Sequence, residues 1–110
     1  KVKGSPESSP MFDRLGIKNV EDAGVIRNQL KTELFADPAV SAFMANNPDS
    51  QFYARRTPEG NFVLRATSGQ SLTLAPNSGG AQLLGDYLNL SNFLGRDMSP
   101  DRPGEILLKA

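Results

Sequence analysis

The residues best suited to chemistry in this chain are arginines and hydroxyl-bearing side chains between positions 51 and 76. They are Arg56, Arg65, Thr67, Ser71 and Thr73. A planar guanidinium group offers paired N–H donors to a phosphate or a carboxylate, and neighbouring hydroxyl groups can complete such a site. The sequence therefore predicts a non-catalytic surface that binds a partner or an anion through these residues.

Catalytic chemistry has little support in the composition. The 110 residues include no His and no Cys, which excludes a Ser-His-Asp triad, a cysteine nucleophile and an ordinary zinc site. The acidic residues are spread singly, and Asp86, Asp97 and Asp101 match no calcium-binding spacing. We interpret these three as solvated surface, and we expect no enzyme activity, no metal and no cofactor.

Charge and hydropathy narrow the choice of partner. Twelve Lys and Arg residues balance twelve Asp and Glu residues, so the formal net charge is zero. A broad nucleic-acid or membrane surface would need an excess of positive charge. The chain has no apolar run long enough to span a bilayer and no signal-peptide pattern. We expect a soluble protein, cytoplasmic or secreted into a host cytoplasm, whose partner is another protein rather than nucleic acid or membrane.

The candidate binding residues lie on stretches that alternate between apolar and polar, as β-strands do. A tight turn is predicted at 57–60, where Pro and Gly stand in the order that turns favour. A three-residue loop is predicted at 68–70. The stretch from Gln51 to Pro76 therefore predicts three short antiparallel strands.

These turns predict a register and two unlike faces. Arg56 should lie opposite Asn61, Tyr53 opposite Leu64, and Leu64 opposite Leu74. The predicted core face carries Tyr53, Phe62, Leu64, Ala66, Leu72 and Leu74. The predicted cationic face carries Arg56, Arg65, Thr67, Ser71 and Thr73.

Helical patterns flank the strands. Asn19 is a good N-cap for a helix whose apolar stripe should cover the core face of the sheet. Asp37-Pro38 predicts a second, shorter helix, and Ala81 to Leu94 predicts a third that ends at Gly95. A short apolar run from Glu105 to Lys109 could add an edge strand.

Two helical positions deserve separate expectations. The polar face of the first long helix, which includes Arg27 and Lys31, is predicted to face solvent. In the second helix, Phe43 and Met44 could form a partner-binding edge, although core packing is the favoured role.

Together these patterns predict an α+β fold, with helices packed on one face of a small three- to four-stranded antiparallel sheet. Residues 1–10 are polar and contain Pro and Ser, which predicts a flexible N-terminal tether. Residues 11–110 should form a single compact domain. The chain starts without Met, which leaves open that it is a fragment of a longer protein.

One segment resembles a known family. Gly60 to Thr67, GNFVLRAT, is similar to the strand around the phosphate-binding Arg of Src-homology phosphotyrosine-binding domains, where a glycine-led Phe-Leu-Val-Arg-Glu-Ser stretch follows a helix. The resemblance implies that Arg65 is a phosphate ligand, with Thr67 where the family has Ser. A phosphorylated or acidic peptide would then be the partner.

Three functional interpretations stay open. The favoured one is a non-catalytic protein-interaction module, of a composition that suits a domain of a secreted bacterial effector acting in virulence. The alternatives are a phosphopeptide-binding domain and a non-catalytic fragment of a larger enzyme. A binding module needs Arg56 and Arg65 accessible and adjacent, whereas a structural domain can pair them with its own carboxylates.

Overall fold

The computed structural model describes residues 9–110, so most of the predicted tether lies outside the described residues. Pro10, assigned to the tether from the sequence, instead opens the first helix. The α+β prediction is confirmed. In chain order the elements are α1 (Pro10–Leu15), α2 (Val20–Ala36), α3 (Pro38–Ala45), β1 (Phe52–Arg56), β2 (Phe62–Ala66), β3 (Ser71–Leu74), α4 (Gly79–Leu94) and β4 (Ile106–Lys109).

The sheet has four strands in the order β3-β2-β1-β4, and every neighbouring pair is antiparallel. The predicted edge strand is therefore present, since β4 lies beside β1. None of the helices between residues 9 and 110 is long and apolar enough to cross a membrane.

The predicted helix starts are confirmed by their caps. The side chain of Asn19 accepts a hydrogen bond from the backbone N–H of Asp22 at 2.8 Å. The carboxylate of Asp37 accepts from the N–H groups of Ala39 and Val40 at 3.1 and 3.2 Å. Each cap satisfies donors that the first helical turn leaves without a partner.

Helix α4 lies at the centre of the molecule. It packs on β1 and β2 with one side, and α2 packs on its other side. The prediction that α2 itself covers the sheet is therefore wrong. The reason is that α4 is apolar on most of its circumference and α2 has a single stripe, so α4 gains more from burial on both sides. Its buried large side chains are Leu84, Tyr87, Leu88 and Leu90.

The first hairpin corrects the predicted register of β1. The backbone N–H of Thr57 bonds to the carbonyl of Asn61 at 2.8 Å, and Gly60 has a left-handed φ of 88°. A tight turn followed by such a glycine encloses three residues rather than four. Ala54 consequently lies opposite Leu64. A shift of one residue turns every side chain of a strand over, so the predicted faces of β1 are reversed.

The second hairpin is displaced by two residues in its pairing, which leaves its faces as predicted. The N–H of Gly69 bonds to the carbonyl of Ala66 at 3.0 Å, so the turn comes earlier than the sequence suggested. Leu64 lies opposite Leu72 rather than Leu74. Both Leu64 and Leu74 are buried, as expected.

The corrected register gives the sheet a covered face and an open one. Phe52, Ala54, Leu64, Ala66 and Leu74 point toward the helices and are buried. The opposite side, here called the outer face, carries no helix within residues 9–110. Its strand residues are Tyr53, Arg55, Val63, Arg65, Ser71, Thr73 and Leu107.

Candidate functional site

The outer face collects four of the predicted binding residues and loses one. Arg65, Ser71 and Thr73 lie on it, and Thr67 lies at its rim just beyond β2. The hydroxyl of Thr67 accepts a hydrogen bond from the backbone N–H of Gln51 at 3.0 Å. Thr67 therefore closes the end of the hairpin while staying exposed.

Arg56 does not lie beside Arg65, and that part of the prediction is wrong. It pairs with Phe62 on the helix side of the sheet, where its guanidinium lies 5.1 Å from the Phe62 ring centroid. It also donates to Asn89 on α4 at 3.5 Å. The outward position next to it in β1 belongs to Arg55, which is exposed and lies opposite Val63.

Arg65 is held by two protein partners. Its Nε and Nη2 donate to the two carboxylate oxygens of Glu105 at 3.0 and 2.9 Å. Its guanidinium also lies 4.7 Å from the centroid of the Tyr53 ring. The Arg65 side chain is 26% exposed, whereas that of Glu105 is only 3% exposed. Arg65 therefore neutralises a buried carboxylate and still reaches the surface.

The electrostatics of the outer face follow from this pair. Hydrogen bonding to Glu105 raises the pKa of Arg65 above its ordinary value, against the opposing effect of burial. The pair is internally neutral, so the net positive charge of the outer face comes from Arg55. No carboxylate within residues 9–110 forms a salt bridge with Arg55. The outer face is thus weakly cationic.

A second polar cluster was missed by the sequence interpretation. Arg27 was expected in solvent but is buried, and it donates to Ser91 and Tyr87 at 2.9 Å each and pairs with Asp97. Tyr87 and Ser91 are fully buried, so the cluster fastens elements together and is closed to ligands. Its sequence signal was the position of Arg27 within the helical stripe of Ala23, Leu30 and Leu34.

The acidic residues form no metal centre in the described part of the chain. No group of three or more potential ligands comes together there. Asp86 was expected in solvent, but it is 7% exposed and accepts two hydrogen bonds from Arg14 at 3.0 and 2.8 Å. A buried carboxylate needs such a partner, so the pairing ties α1 to α4.

The chain matches no protein-family model, no curated protein and no solved structure. Its function must therefore be argued from the geometry of its own residues.

Proposed function

We propose that this chain is a non-catalytic protein-interaction module whose outer face binds an acidic segment of a partner protein. The observation that carries the proposal is the open sheet face on which Arg65 is fixed across Tyr53 and beside which Arg55 stands without a carboxylate partner within residues 9–110. The proposal keeps the predicted sheet surface and replaces Arg56 with Arg55.

The side chains of the outer face suit a protein interface. Tyr53, Val63 and Leu107 are half-buried, so each offers apolar surface that a partner can cover. Aromatic residues and arginines are enriched at the energetic centres of interfaces. Ser71 and Thr73 add exposed hydroxyl groups along β3, where they can donate or accept hydrogen bonds.

Arg65 is prepared for recognition by the contacts that hold it. Two of its five N–H donors bond to Glu105, and the others have no partner within residues 9–110. Because the side chain is already ordered, binding through the remaining donors costs less conformational entropy. The donors that a bidentate phosphate would take are occupied by Glu105, so the phosphopeptide alternative has less support.

The test compares neighbouring arginines that point to opposite faces. Arg55→Ala should weaken binding of a fluorescent acidic peptide, such as one of alternating Glu and Tyr, by about tenfold. Arg56→Ala is the matched control, and it should leave the affinity nearly unchanged. Fluorescence anisotropy in rising salt should show weakening affinity for the native chain, because exposed charges are screened.

Either of two results would contradict the proposal. Equal affinities for Arg55→Ala, Arg56→Ala and the native chain would remove the outer face from binding. Binding only of a phosphotyrosine version of the peptide would favour the phosphopeptide alternative. Arg65→Ala is unsuited as the first test, because it leaves the buried Glu105 without its partner and so perturbs folding.

The narrower assignment to a secreted bacterial effector stays a proposal that rests on composition alone. Its test is the appearance of a tagged form of the longer native protein in the culture medium or in host cells, with a cytoplasmic protein as the leakage control.

A further inference from the structure

A groove lies between α3 and the nearby end of the sheet. Its volume is about 390 Å³, and it lies on the helix side, since Phe52 forms part of its wall. The lining residues are Phe35, Ser41, Met44, Ala45, Pro48, Phe52 and Lys109. None of them belongs to the outer face, so this α3 groove is a separate surface.

The floor of the α3 groove is apolar and firmly held. Phe52 is 2% exposed, and its ring packs edge-on against that of Phe43, with 5.7 Å between the centroids. Phe35 and Met44 are half-buried. Of the two α3 residues considered as a partner-binding edge, Phe43 therefore belongs to the core and Met44 faces the groove.

The charged groups beside the groove are positive. Lys109 lines it directly, and the ammonium of Lys31 lies 5.8 Å from the centroid of the Phe35 ring. Neither lysine forms a salt bridge with a carboxylate within residues 9–110. Asp49 follows Pro48 in sequence but does not line the groove. An apolar floor with a cationic margin fits an apolar group flanked by carboxylates.

We propose that the α3 groove receives a large apolar side chain from an acidic peptide segment of a partner protein. The groove is open at its rim, where Ser41, Ala45, Pro48 and Lys109 are exposed. A small molecule there would keep much of its surface in water, whereas small-molecule sites enclose most of their ligand. A polypeptide covers the anchor side chain with its own backbone and flanking residues, which is how buried anchors at interfaces are shielded from water.

The experiment is a nuclear magnetic resonance titration of the ¹⁵N-labelled chain with the peptide acetyl-Glu-Glu-Leu-Phe-Glu-Glu-amide. Saturable shifts are expected at the amides of Met44, Ala45 and Lys109. Lys109→Glu should weaken binding about fivefold, the effect of one charge at an interface rim. Lys18→Glu makes the same charge change at an exposed position outside the groove and should leave the affinity unchanged.

Two further variants test the apolar floor and the rim. Met44→Asp should abolish the saturable shifts, because it places a carboxylate where the anchor side chain packs. If that variant unfolds, Ala45→Glu at the exposed rim serves the same purpose and should weaken binding about fivefold. A control peptide with Lys in place of every Glu should bind at least about fivefold more weakly.

Several outcomes would overturn the proposal. These are an absence of saturable shifts, equal affinity for the acidic and basic peptides, and no response to Met44→Asp in a folded variant. Shifts confined to Tyr53 and Arg55 would assign the peptide to the outer face instead. Binding of octanoate in the groove without binding of the peptide would assign the groove to small carboxylates.

Discussion

At the scale of single residues, the buried guanidinium of Arg27 joins parts of the chain that are far apart in sequence. It lies on α2, its hydroxyl partners Ser91 and Tyr87 lie on α4, and Asp97 follows α4. The backbone carbonyl of Asp97 also accepts the N–H of Leu107 in β4 at 2.7 Å. Asp97 has a positive φ of 58°, a conformation that costs energy for a residue with a Cβ atom and that these contacts hold in place.

Tyr87 makes this cluster sensitive to high pH. Burial raises its pKa above the ordinary value of 10.0. The unfolded chain therefore loses the phenol proton first as the pH rises, so the stabilisation is complete below about pH 10 and is lost above it. In urea unfolding, the free energy of the native chain should fall more steeply above about pH 10 than that of Tyr87→Phe.

The same variant has a second expected effect at neutral pH. Tyr87→Phe removes the acceptor for one buried N–H donor of Arg27, which should cost about 1–3 kcal/mol. Identical pH slopes for the native chain and Tyr87→Phe would contradict the assignment of the effect to Tyr87.

At the scale of elements, one glycine decides which face β1 presents. The turn before β2 needs a left-handed residue, and Gly60 supplies it at φ 88°. The sequence marks both turns through their Pro and Gly residues, but it leaves the number of enclosed residues ambiguous. For β1 that ambiguity reverses the faces, and it exchanged Arg55 for Arg56 in the predicted site.

Gly60→Ala should lower the free energy of unfolding by about 1–2 kcal/mol, because a Cβ atom disfavours the left-handed conformation. Space around the glycine is open, so the cost is one of backbone conformation and not of packing. Gly60→Asn should cost less, since Asn tolerates that conformation. Gly79→Ala, which also meets no neighbouring atom, is the control without a positive φ. Equal losses for all three variants in urea unfolding would contradict the explanation.

At the scale of the whole molecule, local signals were predictable and distant pairings were not. The caps at Asn19 and Asp37 act within a few residues, so the sequence shows them directly. The partner of Arg65 is Glu105, 40 positions away, and no local pattern indicates that contact. The central place of α4 is likewise a competition among helices for the same sheet, which depends on the total apolar surface of each.

Helix α4 and β4 together make the last third of the chain an inserted wedge. It fills the space between α2 and the sheet, and it completes the sheet beside β1. A cut between Pro76 and Asn77, in an exposed loop, would therefore separate a shell from its filling. We expect neither piece to fold alone, since each would expose the apolar surface that the other buries. Mixing the two should restore the helical circular dichroism signal in proportion to complex formation, so that this chain would serve as a split reporter of proximity.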